Sequence, residues 1–77
     1  MEIYKDKNIT LKAKGLYFVM KTLQENNEKF TQRELTQISN VGDRALLSAM
    51  KELKDNDYVV IKKKNIDGIF HYEYILN

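Results

Sequence analysis

The stretch Phe30-Thr31-Gln32-Arg33-Glu34-Leu35-Thr36-Gln37-Ile38-Ser39-Asn40-Val41-Gly42-Asp43-Arg44-Ala45-Leu46-Leu47-Ser48-Ala49-Met50-Lys51-Glu52-Leu53 decides the fold. Thr31 and Glu34 have the spacing of a capping box, and Phe30 and Leu35 stand where a hydrophobic staple places its two apolar side chains. The spacing predicts a short helix from residue 31 to about 38, with Leu35 and Ile38 turned inward. Ser39-Asn40-Val41-Gly42 ends it, because polar residues and Gly favour a tight turn. A further helix over about 42–56 follows, burying Leu46, Ala49, Met50 and Leu53 at the 3.6-residue period. Asn56-Asp57 stops this helix, since both residues tolerate the left-handed backbone of a helix end.

Upstream, Leu16, Val19, Met20 and Leu23 form the inner stripe of a helix over about 10–26, with Ala13 beside it and Tyr17 at its edge. The stretch Glu2 to Lys5 is compatible with a short strand. Downstream the period drops from 3.6 to 2, predicting strands over about 58–64 and 69–76. Val59 and Ile61 point inward on the first. On the second, Phe70, Tyr72, Tyr74 and Leu76 share one face, and Ile69, His71, Glu73 and Ile75 the other. Asn65-Ile66-Asp67-Gly68 connects them, with Asp-Gly as the hairpin signal. The order helix, helix, turn, helix, hairpin predicts an α+β fold over 1–77, a single winged helix-turn-helix domain.

Seventy-seven residues suffice for one small domain, and 43% hydrophobic with 31% charged residues is an ordinary globular composition. With no Cys and one His, thiolate metal sites, redox pairs and cysteine nucleophiles are excluded, so no metal, cofactor or catalytic role is assigned. His71 lies on the outward strand phase and reads as surface. The three glycines are too far apart for a phosphate-cradling loop. No apolar run approaches the roughly 20 residues that span a bilayer, and no secretory h-region precedes the first helix. The expected location is the cytoplasm, with no membrane partner. A net charge of +2 says less than its distribution. Lys5, Lys7, Lys12 and Lys14 cluster near the N-terminus, and Lys62, Lys63 and Lys64 form a second block.

Leu11-Lys12-Ala13-Lys14-Gly15-Leu16, Phe30-Thr31-Gln32-Arg33-Glu34-Leu35, Ser48-Ala49-Met50-Lys51-Glu52-Leu53 with Tyr58 after it, and Tyr72-Glu73-Tyr74 together carry a resemblance. Over residues 11–76 the chain resembles the helix-turn-helix domain of replication initiator and related proteins of Gram-positive phages and plasmids. The resemblance implies a winged helix and a DNA-related role. It departs from that pattern at Asp57, where Gly is usual, and at Leu47, where a basic residue is frequent.

On a helical wheel, Arg44, Leu47, Ser48 and Lys51 face away from the Leu46 and Leu53 stripe, with Lys54 and Asp55 at the edges. A recognition helix presents such a face to the major groove, Arg44 and Lys51 donating to guanine edges or phosphates and Leu47 meeting a thymine methyl. Taken alone the charges describe a solvated surface; the outward Leu47 between them turns the reading toward contact. Lys62, Lys63 and Lys64 lie where a wing touches backbone or minor groove, although strand alternation leaves Lys62 and Lys64 as an ordinary solvated face. The Lys-rich N-terminus would add phosphate contacts. Gln32 and Arg33 sit at the start of the second helix, which offers N–H groups to a phosphate. Tyr72 and Tyr74 read as core and not as a base-stacking platform.

Phe18 lies nearly opposite the first helix's apolar stripe, near Leu11. A cover from Ile3, Tyr4 and Ile9 explains it; a homodimer through Phe18 and Leu11 is the alternative. Duplex DNA is the expected partner, in replication initiation or transcriptional regulation. The competing reading is a protein-binding winged helix, such as a phage-encoded inhibitor or adaptor that docks a host protein through Leu47.

Overall fold

In a computed structural model describing residues 2–77, a short 3-10 turn at Ile3–Lys5 precedes three helices and a two-stranded antiparallel sheet. The helices are α1 (Leu11–Glu25), α2 (Gln32–Ser39) and α3 (Asp43–Asp55), and the strands β1 (Val59–Ile66) and β2 (Ile69–Leu76). The expected strand at Glu2 to Lys5 is absent. Its amides close locally instead, Lys5 N–H onto Glu2 and Asp6 N–H onto Ile3, and both strands of the sheet come from the hairpin.

Local chemistry accounts for most boundaries. Thr10 caps α1, its Oγ1 accepting from Ala13 N–H at 3.2 Å. Thr31 caps α2 with the complete reciprocal box: Thr31 Oγ1 accepts from Glu34 N–H, and Glu34 Oε1 accepts from Thr31 N–H, both at 3.2 Å. Asn40, with φ 52°, turns the chain out of α2, and Asp57, with φ 63°, turns it out of α3. Asp and Asn enter this left-handed region at lower cost than other non-glycine residues.

Ala13, Leu16 and Met20 from α1, Leu35 from α2, and Leu46, Ala49, Met50 and Leu53 from α3 form one buried cluster with Ile9, Tyr58 and Val59. Ile38, expected inward, is 54% exposed. Leu35 is the buried residue of α2, and its i+4 neighbour Ser39 is half-buried, whereas its i+3 neighbour Ile38 turns to solvent. The side-chain oxygen of Ser39 is buried without a hydrogen-bond partner among the described residues.

The segment before α1 is pinned to the back of α3. Tyr58 donates its hydroxyl to Asp6 at 2.6 Å, Ile9 enters the core, and both Thr10 N–H and Thr10 Oγ1 donate to the Glu52 carboxylate. It therefore does not cover Phe18, which is 71% exposed, as are Leu11 at 85% and Tyr4 at 67%. Tyr17 meets Tyr58 edge to face, ring centroids 6.0 Å apart.

In the hairpin, Val59 pairs with Leu76, Ile61 with Tyr74, Lys63 with Tyr72 and Asn65 with Phe70. The first strand runs to Ile66, past the expected end at Lys64, because Asp67 and Gly68 both adopt positive φ and close a two-residue turn. Lys62 to Lys64 therefore lie within the strand, and Ile66, Asp67, Gly68 and Ile69 form the tip. Burial stops short of the tip: Val59 is buried and Ile61, Tyr74 and Leu76 half-buried, whereas every residue from Lys62 to Glu73 is exposed. The expected core roles of Phe70 and Tyr72 are thus corrected, for the helices do not reach that far along the hairpin. Among the described residues, no helix is long and apolar enough to cross a membrane.

Candidate nucleic-acid interface

Three adjoining concavities meet between α2, α3 and the inner face of the hairpin. The largest, about 820 Å³, is walled by the α2 start, Lys54 and the hairpin residues Ile61, Lys63, Phe70 and Tyr72. A second, about 330 Å³, lies between α3 and the hairpin base, with Leu47, Lys51 and Lys54 in its wall. A third, about 670 Å³, separates α2 from the α3 N-terminus and holds Arg33, Gln37 and Leu47. Gln32 borders all three, and Lys54 joins the first two.

The fold thus gathers Gln32, Arg33, Leu47, Lys51, Lys54 and Lys63 onto one concave face. Leu47 is 51% exposed, pointing outward as the wheel requires. Arg44 and Ser48 are exposed on the same side of α3 but line none of these concavities. Lys62 and Lys64 are not part of this face either. The pleat places them on the opposite side of the sheet from Lys63, where their partners are Glu73 and His71. The N-terminal lysines stay apart as well: none of Lys5, Lys7, Lys12 and Lys14 borders the three concavities. Lys5 pairs with Glu2, and Lys14 donates to the Tyr4 carbonyl.

The lysines of the face differ in availability. Lys51 pairs with Asp55 one turn on, which raises the pKa of its ammonium, first through the hydrogen bond and then through the opposite charge. Lys64 pairs with Glu73 at 3.1 Å. Among the described residues, Arg33, Arg44, Lys54, Lys62 and Lys63 make no salt bridge. Lys63 instead holds its ammonium 3.9 Å from the Phe70 ring centroid, a cation–π distance.

At the base of the hairpin, Phe30 and Tyr74 stack with centroids 5.3 Å apart. Phe30, the residue before the α2 cap, thereby joins the start of α2 to β2. Burial holds the Tyr74 hydroxyl above its ordinary pKa, with the neighbouring Tyr72 adding to the effect. The stacking was not evident from the chain, because Phe30 and Tyr74 are far apart in sequence and each has a local explanation.

No family model, no curated protein and no solved structure matches the chain. Among the described residues there is no group of three His, Cys, Asp or Glu side chains placed to hold a metal ion. The arrangement offers cations, aromatic faces and one outward leucine, which suits recognition of an anionic polymer.

Proposed function

We propose that this chain is a winged helix-turn-helix protein that binds duplex DNA, serving replication initiation or transcriptional regulation in a phage or plasmid. In this reading α3 enters the major groove with Arg44, Leu47, Ser48 and Lys51 outward, while Lys54, Arg33 and Lys63 meet flanking phosphates. The observation that carries it is the convergence of α2, α3 and the hairpin on one concave face, with Arg33, Lys54 and Lys63 unpaired among the described residues. The helix-turn-helix order and the hairpin placed directly after α3 support it.

The protein-binding alternative draws on a separate observation: Leu47 is half exposed beside a lysine already neutralised by Asp55. The two readings rank two substitutions in opposite order. On DNA, Arg44→Ala removes a charge-assisted contact, whereas Leu47→Ala removes at most a thymine-methyl contact, so Arg44→Ala weakens binding more. On a protein, Leu47 is the buried anchor and its loss costs about 2 kcal/mol or more, with Arg44 at the rim. Fluorescence anisotropy on a random-sequence duplex tests this. Tight, salt-sensitive binding weakened most by Arg44→Ala supports the DNA reading, and no binding at low salt overturns it.

A further inference from the structure

Beyond the Phe30–Tyr74 stack, the inner hairpin face continues as a row of aromatic rings that are about half exposed, the Phe70 ring with the Lys63 ammonium over it. Tyr72 and Phe70 follow Tyr74 at every second residue on that face and are 56% and 54% exposed. Two residues of strand advance about 6.7 Å, close to the reach of one nucleotide in an extended single strand. Lys63, cross-strand from Tyr72, holds its ammonium over the Phe70 ring. Lys29, Arg33 and Lys54 border the same cleft.

Charge decides what kind of partner fits. The cleft wall carries one carboxylate, Glu34, which accepts from Thr31 N–H and Thr31 Oγ1 and keeps its charge, against four cations, Lys29, Arg33, Lys54 and Lys63, so the wall is net positive. Uncovered rings alone would suit any apolar partner. Rings interleaved with cations that outnumber the carboxylate suit a partner that alternates flat π faces with negative charges. Aromatic side chains stack on every base, and lysines and arginines follow the backbone between them.

We infer that this cleft binds an unpaired strand of nucleic acid, with successive bases stacked on Tyr72 and Phe70 and phosphates met by Lys63, Arg33 and Lys54. The inference rests on the nucleic-acid reading above and shares its cations Arg33, Lys54 and Lys63, but adds the aromatic row of the hairpin, which the duplex reading does not use.

The probes are a fluorescein-labelled oligothymidylate and a blunt-ended duplex of two fully complementary strands, titrated by anisotropy at low salt. Tyr72→Ala and Phe70→Ala should each weaken oligothymidylate binding about tenfold, and duplex binding less than twofold. Both side chains are more than half exposed, so the variants keep the core, which a circular dichroism melt verifies. Because the chain has no Trp, Tyr72→Trp provides a site-specific fluorophore whose emission a stacked base quenches. Quenching by oligothymidylate, together with selective weakening in the alanine variants, supports the inference. Oligothymidylate binding that is absent, unaffected by both alanine variants, or without quenching of Tyr72→Trp overturns it. Duplex binding that persists in those cases leaves the α3 reading standing, and loss of duplex binding alone removes only that reading.

Discussion

Asp55→Asn removes the carboxylate that neutralises Lys51 on the outer side of α3, and the consequence for DNA binding is calculable from the distribution of ion pairs. The sequence suggests seven cations for a DNA contact: Arg33, Arg44, Lys51, Lys54, Lys62, Lys63 and Lys64. Lys51 and Lys64 are paired with Asp55 and Glu73, and the strand pleat turns Lys62 away from Lys63. Arg33, Arg44, Lys54 and Lys63 remain. With about 0.9 counterions released per phosphate, four contacts give a log–log salt slope of about −3.6, a loss of about 150-fold in affinity between about 50 and 200 mM salt. Freeing Lys51 adds a fifth contact, moving the slope to about −4.5 and the loss to about 500-fold over the same interval. Both partners of the pair are exposed, so the fold is untouched. Anisotropy titrations of wild type and Asp55→Asn on one duplex, at four or more salt concentrations, measure both slopes. With a wild-type slope of about −3.6, a slope for Asp55→Asn equal to it or shallower would refute the placement of Lys51 against DNA. A wild-type slope of about −5.4 would show that both surface pairs open on binding.

Leu35→Ala should destabilise the protein by about 2 to 5 kcal/mol in denaturant melts, because Leu35 is fully buried, whereas the exposed Ile38→Ala should fall within about 0.5 kcal/mol of wild type. Thr31→Ala should cost about 0.5 to 2 kcal/mol and leave duplex affinity unchanged, since it breaks the α2 capping box. The hydrogen bonds that Glu52 accepts from Thr10 N–H and Thr10 Oγ1 hold its pKa below the ordinary 4.5. That stabilisation is present above pH 4.5 and lost as pH falls through the lowered value, so Glu52→Gln should lower stability at neutral pH and flatten the acid limb of a pH–stability curve. The Tyr58 hydroxyl, donating to Asp6, is pushed up from 10.0 to about 12, so its contribution is present below pH 10 and lost as pH rises toward 12. Tyr58→Phe should remove that alkaline loss in melts across the same range.

What was legible in the sequence rested on interactions spanning a few residues. Thr31 and Glu34 announce the α2 start because both halves of a capping box lie within one turn. Asp67-Gly68 announces the hairpin because the two-residue turn needs positive φ at both positions. Of the site, the outward position of Leu47 follows from α3 periodicity alone, and the split of Lys63 from Lys62 and Lys64 from the strand period. The DNA role implied by the resemblance to replication-initiator domains is what the binding experiments address.

Periodicity determines which side chains share a face, but not how far a neighbouring element extends over that face. The hairpin pattern therefore groups Phe70, Tyr72, Tyr74 and Leu76 correctly, yet only the reach of the helices decides that Tyr74 and Leu76 are covered while Phe70 and Tyr72 remain open. Likewise α2 has two inward candidates by period, and the packing of α1 and α3 covers Leu35 and leaves Ile38 outside. The Thr10–Glu52 and Tyr58–Asp6 bonds, and the Phe30–Tyr74 stack, join residues more than forty positions apart. No local spacing encodes such pairs, because their partners meet only after the helices have packed. The sequence by itself therefore determined the elements, their order and the outward face of α3, through short-range hydrogen bonding and period. Only the tertiary structure decided the depth of the core, the loss of the N-terminal lysines from the interface, and the open aromatic row beside Lys63, because each depends on where one element ends against another.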